Sequence, residues 1–115
     1  MTQSRGITIG KIGPRTVVSV QEPITFQNRE DLHATFRRCM EQQKTDIVLD
    51  ASQVAFMDSE GLELLLDVHE ELQEHGKALK LVGLNQTCSD IFTAAQLLAV
   101  FPVYENINRL IRSER

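Results

Sequence analysis

The sequence predicts a single α/β domain built around a mixed β-sheet. Its length of 115 residues suits one hydrophobic core and is too short for two. Apolar residues make up 42% of the chain and charged residues 24%, which is ordinary for a globular domain. Short β-branched segments alternate with longer segments of helical periodicity. Because strands that alternate with helices imply parallel crossover connections, we expect an α/β fold.

The first third of the chain predicts two strands and a helix. Residues 1–6 are expected to form a loose terminus, and the domain itself covers residues 7–115. ITIGKI, residues 7–12, alternates Ile with smaller residues before a Gly-Pro turn, and TVVSVQE, residues 16–22, is β-branched and stops before a proline. A helix is expected to follow, with Asn28 as its N-cap. Its apolar positions recur at helical spacing: Leu32, Phe36, Cys39 and Met40.

The rest of the chain predicts alternating strands and helices. DIVLDAS, residues 46–52, is a nearly continuous apolar run, as expected of a strand buried on both faces. Residues 54–56 are expected to extend this strand past a kink. Asn85 is the predicted cap of a later helix. The remaining elements are a helix at 59–75, a strand at 77–84, a helix at 86–98, a short strand at 101–105 and a final helix at 106–113.

Charge and cysteine content exclude several classes of function. The net charge is −4 and the pI about 5.3, so nucleic acid is not an expected partner. Cys39 and Cys88 lack the spacing of a metal site and are predicted to be free thiols of a cytosolic chain. No apolar run approaches the roughly 20 residues of a membrane span, and the first ten residues lack a signal-peptide core. We therefore expect a cytoplasmic protein without a membrane span.

The residues that could support catalysis or metal binding are scattered along the chain. His69 and His75 point in different directions on one predicted helix, and His33 belongs to another, so we expect no metal site. No Gly-rich phosphate loop is present. No histidine is placed as a base for Asp50 or Ser59, so we expect no enzymatic activity and no cofactor.

Acidic residues are concentrated in the middle of the chain. Residues 45–76 hold nine of the sixteen acidic residues and no Lys or Arg. Like charges spaced four residues apart, such as Glu63 and Asp67, destabilise an isolated helix by about 0.2–0.5 kcal/mol. Two interpretations remain open: a solvated face with poor pairing, or a docking surface for a basic partner. On the predicted helix the leucines share one face, and these acidic side chains share the other: Glu60, Glu63, Asp67, Glu70 and Glu74.

The stretch Asp-Ser-Glu-Gly, residues 58–61, lies between a predicted strand and a predicted helix. Asp58 or Ser59 can serve as the N-cap, and Glu60 suits the positive end of the helix dipole. Gly61 lets the turn pack closely against its neighbours. A hydroxyl at an exposed helix N-terminus can also accept a phosphate, which would add about −1.5 to −2 charge here. Neighbouring carboxylates would repel that phosphate, so we expect it to change binding more than fold.

The stretch IVLDASQVAFMDSEGLELLLDVHEEL, residues 47–72, resembles the central motif of STAS domains, specifically of the anti-sigma factor antagonists. The family pattern is a hydrophobic strand ending in Asp or Asn, then Phe-hydrophobic-Asp-Ser-Ser/Thr-Gly-Leu and a leucine-rich helix. The likeness extends over nearly the whole chain, including KALKLVGLN, residues 77–85. It implies a small STAS-type domain with a mixed four- to five-stranded sheet and helices mainly on one face.

The resemblance also implies a partner and a switch. Family members bind an anti-sigma factor that is also a serine kinase of the histidine-kinase-like ATPase type, and this binding frees the sigma factor to regulate transcription. The kinase phosphorylates the Ser that follows Asp, which ends the association, and a phosphatase restores it. The matching phosphorylation site is Ser59. The predicted partner-binding residues are Asp58, Ser59, Glu60, Gly61, Glu63 and Thr25.

Two positions depart from the family pattern. Glu60 stands where the pattern has a second Ser or Thr, and it either mimics part of the phosphorylated state or marks a different kinase. The loop before the first helix lacks the Asp of the pattern, and its equivalent stretch is QEPIT, residues 21–25. These departures favour an alternative, a STAS interaction module in a stress-sensing or transport complex without a phosphorylation cycle.

Overall fold

The structure, a computed structural model, describes residues 6–42 and 45–114. Within these residues the chain forms a five-stranded sheet and four helices, in the predicted order. The strands are β1 (Ile7–Ile12), β2 (Arg15–Val20), β3 (Ile47–Asp50), β4 (Leu79–Val82) and β5 (Val103–Tyr104). The helices are α1 (Arg29–Gln42), α2 (Ser59–Gln73), α3 (Gln86–Ala94) and α4 (Ile107–Ser113).

The sheet is mixed, with its strands arranged in chain order. β1 and β2 form an antiparallel hairpin in which Ile7 lies opposite Val20. The other pairs are parallel, so that Val18, Leu49 and Leu81 lie side by side on β2, β3 and β4. Helices connect the parallel strands, as crossover connections require. The predicted α/β fold with a mixed sheet is therefore confirmed, and the carboxyl ends of β2, β3 and β4 meet at one edge.

The two faces of the sheet bury different sets of helices. Val18, Leu49 and Leu81 pack with α1, α2 and α3 in the larger core. Their sequence neighbours point to the other face, because side chains alternate along a strand. There they pack on α4: Val17, Val48 and Val82 against Leu110. Three helices on one face and one on the other confirm the predicted arrangement.

Two predicted elements end earlier than expected. Residues 54–56 do not extend β3, because Asp50 Oδ1 accepts a hydrogen bond from the Ser52 amide at 3.0 Å and starts a turn. α3 stops at Ala94 instead of continuing to residue 98. Gln96 adopts a φ of +61°, and the Leu97 amide donates to the Phe92 carbonyl at 2.8 Å, which closes the helix in a Schellman-type turn.

The predicted side-chain cap at Asn28 is wrong, although its position is right. The Leu32 amide donates to the Asn28 carbonyl at 2.9 Å, as expected at the residue before a helix. The Asn28 side chain turns back to the preceding loop, where Oδ1 accepts from the Thr25 amide and Nδ2 donates to the Pro23 carbonyl. Asn28 therefore stabilises the loop between β2 and α1 instead of the first turn of α1.

The predicted loose terminus lies outside the described residues except for Gly6. The Gly6 carbonyl accepts a hydrogen bond from the Gln21 amide at 2.7 Å.

Cys39 and Cys88 are both free and buried, and burial raises the pKa of both thiols. A search of the described helices finds none with the length and apolarity needed to cross a membrane.

Candidate functional site

The candidate site is the first turn of α2, at the edge where β2, β3 and β4 end. Three chain segments meet there: the loop after β2, the extended segment before α2, and the start of α3. The segment before α2 pairs with the loop after β2, because the Ile24 amide donates to the Phe56 carbonyl and the Asp58 amide donates to the Ile24 carbonyl, both at 3.1 Å. Ile24 and Met57 thereby form an isolated parallel bridge.

The other side of this segment is held by α3. The side-chain amide of Asn85 donates to the carbonyls of Val54 and Ala55, each at 3.2 Å. The same side chain caps α3, since its oxygen accepts from the Cys88 amide at 2.7 Å. The predicted cap at Asn85 is confirmed, and the residues leading into α2 are clamped on both sides.

Asp58 is the N-cap of α2, which decides between the two candidates that the sequence left open. Its Oδ1 accepts from the Gly61 amide at 2.8 Å. Its Oδ2 accepts from the Phe26 amide at 3.0 Å, across from the loop after β2. Asp58 therefore both starts the helix and fixes the loop beside it.

Gly61 is required by a close backbone approach. A Cβ at this position would lie 2.3 Å from the Ile24 carbonyl oxygen, far inside van der Waals contact. The carbonyl cannot retreat easily, because it accepts the hydrogen bond from Asp58. Glycine thus permits the loop after β2 to lie directly on the first turn of α2.

Ser59 is the first residue of α2 and its side chain is exposed to solvent. Since Asp58 caps the helix, the Ser59 hydroxyl is not needed as a cap, and no other described residue forms a hydrogen bond with it. The hydroxyl is therefore accessible to a second molecule, on a backbone that is held on both sides.

Arg29 joins the first turn of α1 to the acidic face of α2. Its Nη1 lies 3.1 Å from Glu60 Oε1 and 2.9 Å from Glu63 Oε1, and its Nη2 lies 3.6 Å from Asp67 Oδ2. Hydrogen bonding to Glu63, and then to Glu60, raises the pKa of the guanidinium further above its ordinary value against an opposing effect of desolvation. One arginine thus partly neutralises three carboxylates.

The acidic face of α2 is consequently less free than the sequence indicated. Further along α1, His33 lies 3.1 Å from a Glu71 oxygen, and Arg37 lies 3.9 Å from the other. Four carboxylates of α2, those of Glu60, Glu63, Asp67 and Glu71, are therefore paired with side chains of α1. Among the described residues, Glu70 and Glu74 are the members of the face that make no ion pair.

Thr25 lies close to the site, but its polar groups serve its own loop. Its hydroxyl accepts from the Gln27 amide at 3.2 Å, and its amide donates to Asn28 Oδ1 at 3.0 Å. The structure therefore brings the predicted residues together at the start of α2, with Thr25 in the adjoining loop: Asp58, Ser59, Glu60, Gly61 and Glu63.

Two exposed aromatic residues that were not predicted from the sequence lie beside Ser59. Phe26 is 64% exposed and Phe56 46% exposed, unlike the buried Phe36 and Phe92. The hydrogen bonds of Asp58 to Phe26 and of Ile24 to Phe56 place both near the start of α2. The signal was present in the sequence, because Phe26 lies in a polar loop where no core is available.

The role of Arg29 was also not predicted, although its position in the sequence is unusual for a cation. A cation at the first residue of a helix opposes the helix dipole, which favours negative charge there. Its position needed another explanation, and the three carboxylates of α2 supply it.

The histidines do not form a metal site in the part of the chain that the structure describes, and no group of three potential ligands occurs there. His69 is buried, and its Nδ1 accepts from the Leu79 amide at 3.1 Å, which joins α2 to β4. Its ring lies 4.9 Å from that of Phe101. Burial lowers the pKa of His69, an effect that the Val100 backbone and Glu70 partly oppose.

Comparison with known proteins places this geometry in a family. The model of the STAS domain matches residues 6–110. The candidate anti-sigma factor antagonist BtrV of Bordetella bronchiseptica is 26% identical over 97 residues, which is 84% of this chain and 84% of BtrV. The resemblance inferred from the sequence is thereby confirmed.

Solved structures share the fold. A candidate anti-sigma factor antagonist of Thermotoga maritima superposes with a TM-score of 0.86 at 15% identity, covering 93% of this chain and 92% of its own. Phosphorylated SpoIIAA, a cell fate determinant of Bacillus, has a TM-score of 0.70 at 19% identity, covering 95% and 99%. The fold also occurs in the murine anion transporter Slc26a9, with a TM-score of 0.76 at 17% identity, over 89% of this chain but 18% of the transporter.

Proposed function

Because the chain belongs to the STAS domain family, we propose that it acts as an anti-sigma factor antagonist. It binds an anti-sigma factor that is also a serine kinase of the histidine-kinase-like ATPase type, and phosphorylation of Ser59 ends this binding. The observation that carries the proposal is the exposed Ser59 on a first helical turn that is clamped on both sides. Similarity to BtrV supports the assignment of the general role.

The surface around Ser59 suits a protein partner. Phe26 and Phe56 provide exposed aromatic side chains of the kind that anchor protein interfaces. Glu60 and Glu63 provide negative charge at the edge of this surface. A partner that presents an apolar depression would receive the aromatic rings, and its rim would face carboxylates that Arg29 partly neutralises.

The proposed reaction is phosphoryl transfer from ATP held by the partner. The Ser59 Oγ attacks the γ-phosphorus, the new Oγ–P bond forms, and the bond from that phosphorus to the β,γ-bridging oxygen breaks to release ADP. The hydroxyl proton passes to a base of the kinase. Both oxygens of Asp58 accept backbone hydrogen bonds, which hold this carboxylate at the N-cap position beside Ser59.

The phosphate changes the charge of the binding surface without a large change of fold. It adds about −1.5 to −2 charge at pH 7 beside Asp58 and Glu60. A carboxylate-rich rim that gains a phosphate repels acidic groups and alters contacts with the aromatic side chains. A phosphatase that hydrolyses the phosphoserine restores the hydroxyl and the binding surface.

The proposal is tested by incubating the purified chain with ATP and the histidine-kinase-like ATPase encoded nearest to its gene. Mass spectrometry of the digested protein should find one phosphate, on Ser59. Ser59→Ala should abolish the label, whereas Ser52→Ala, at an exposed serine of the preceding turn, should retain it. Label on another residue, with Ser59 unmodified, would contradict the proposal.

A second candidate function is a STAS interaction module that works without phosphorylation. Glu60, in place of the second Ser or Thr of the motif, favours it, as does the occurrence of this fold within a transporter. This alternative predicts that affinity capture recovers a transporter or a large stress-sensing assembly. Under it, ATP releases the captured partner equally from the wild-type chain and from Ser59→Ala, or from neither.

A further inference from the structure

We propose that Arg29 is an internal receptor for the phosphate on Ser59. In the unphosphorylated protein it holds Glu60 and Glu63, and after phosphorylation it releases them and binds the phosphate instead. This inference rests on the proposed phosphorylation of Ser59 and assigns a regulatory role to a residue of the neighbouring helix.

Arg29 is within reach of Ser59. Its Nη1 lies 2.9 Å from Glu63 Oε1, and Ser59 precedes Glu63 by four residues on the same helix. Residues with this spacing lie on one face, with Cβ atoms about 5–6 Å apart. Glu60, which Arg29 also contacts at 3.1 Å, directly follows Ser59 in the chain. The guanidinium thus already occupies the side of the first turn on which the phosphate would emerge.

The exchange of partners is favourable because the present ion pairs are exposed. The side chains of Glu60 and Glu63 are 55% and 63% exposed, so both can return to water after release. A phosphate carries more negative charge than a carboxylate and presents three acceptor oxygens. The planar fork of arginine binds phosphate with two parallel hydrogen bonds. Arg29 should therefore prefer phosphoserine to either glutamate.

The exchange gives Glu60 a defined role. In the unphosphorylated protein Arg29 partly neutralises Glu60, so Glu60 does not mimic the phosphorylated state at the partner surface. After phosphorylation, Glu60 and Glu63 lose their counter-charge and become free acidic groups on the rim. Phosphorylation thereby adds one acidic group to the rim, the phosphate, and releases two others, the carboxylates of Glu60 and Glu63.

The test uses the full chain with phosphoserine incorporated at position 59 during translation, so no kinase is needed. Phosphorus NMR then measures the second pKa of the phosphate in four proteins: the wild-type chain, Arg29→Gln, Arg29→Lys and Arg37→Gln. A nearby guanidinium stabilises the dianion and lowers this pKa. Loss of the charge in Arg29→Gln should raise it by about 0.5 unit. Arg29→Lys, which keeps the charge without the fork, should give a smaller rise.

Arg37→Gln is the matched control. Arg37 lies on the same helix and also pairs with an α2 carboxylate, Glu71, at 3.9 Å. It follows Arg29 by eight residues, about 12 Å along the helix axis, so its loss should leave the phosphate pKa unchanged. The other charged groups that surround the first turn are the same in all four proteins: Asp58, Glu60, Glu63 and Asp67 on the side of α2, and Glu22 and Asp31 on the side of the loop and α1.

The outcomes are distinct. A rise in Arg29→Gln and a smaller rise in Arg29→Lys, with no rise in Arg37→Gln, support the receptor role. No rise in Arg29→Gln, or an equal rise in Arg37→Gln, overturns it, since the effect would then be absent or a general consequence of net charge. Failure of a kinase to modify Ser59 would instead contradict the proposed function and leave this measurement unaffected.

Discussion

Arg29 and Glu60 form an ion pair of 3.1 Å that joins the first turns of two neighbouring helices. The dipole of its own helix acts differently on each residue. Glu60 is favoured by the dipole of α2, whereas Arg29 opposes the dipole of α1 and is stabilised by contacts with the other helix. The pair therefore couples the loop after β2, which enters α1, to the turn that presents Ser59. Three of the predictions below concern this turn and the surface beside it, and one concerns His69 further along α2.

Replacement of Asp58 should destabilise the protein by removing two hydrogen bonds at once. Asp58→Ala leaves the amides of Gly61 and Phe26 without their acceptor, and the free energy of unfolding should fall by about 2 kcal/mol. Urea unfolding measures this loss. Asn106→Ala removes the cap of α4 on the other face of the sheet and should cost about 1 kcal/mol. A loss in Asp58→Ala no larger than that of Asn106→Ala would count against the double role of Asp58.

A methyl group at Gly61 should separate the loop from α2. The new Cβ would meet the Ile24 carbonyl oxygen at 2.3 Å, so Gly61→Ala should lower the free energy of unfolding by about 2–3 kcal/mol. Gly10→Ala is the matched control, because an added Cβ there has no atom within 4 Å. Its effect should stay within about 1 kcal/mol. Equal stability of the two variants would show that the close approach at Gly61 is not tight.

Stability should fall in mildly acidic solution because of His69. Its pKa is lowered in the folded state, so the unfolded chain takes up the proton first as the pH falls below about 6.5. Above that pH, His69 makes its full contribution to the free energy of unfolding, and below it this contribution decreases. His69→Gln should reduce the decrease measured by urea unfolding between pH 8 and pH 5.5. His75→Gln, which removes an exposed histidine, should show the same loss of stability with pH as the wild-type chain. An equally large loss in His69→Gln would exclude His69 as the source of the effect.

The exposed aromatic residues should contribute to binding and little to stability. Phe26→Ser with Phe56→Ser should weaken partner binding at least about tenfold, while the folded chain keeps its overall structure. Calorimetric titration with the partner and circular dichroism measure the two effects. Leu98→Ser with Val100→Ser removes exposed apolar side chains in the connection that precedes β5, at the opposite edge of the sheet. That control should bind normally, and equal losses in both pairs would argue against a defined surface.

Local patterns in the sequence were sufficient for the order of elements and for the start of α2 at Ser59, whereas the choice of Ser59 as a candidate phosphorylation site came from the family resemblance. The apolar run of β3, the leucine face of α2 and the cap at Asn85 are each specified by neighbouring residues. The early end of α3 was not predictable, because Gln96 takes a left-handed conformation without being a glycine. Its geometry is stabilised by the backbone bond from Leu97 to Phe92 and by the packing of that turn.

Contacts between distant segments were beyond the sequence patterns. Asp58 and Ser59 are equally good caps by composition, and the structure adds a second bond, from the Phe26 amide thirty-two residues away, that holds Asp58 in the capping position. The acidic face of α2 looked unpaired because Arg29, which pairs with Glu60, Glu63 and Asp67, belongs to a different helix. Helical periodicity predicts which residues share a face, but it does not identify the helix that packs beside them.

The most direct test of a switch at Ser59 compares the partner affinity of the chain carrying Ser59 with that of the chain carrying phosphoserine 59. Calorimetric titration of the histidine-kinase-like anti-sigma factor, in the presence of ADP, measures both dissociation constants under conditions without phosphoryl transfer. The phosphate is expected to weaken binding by about tenfold or more, a difference of about 1.4 kcal/mol. Equal affinities for the two forms would contradict a switch at Ser59.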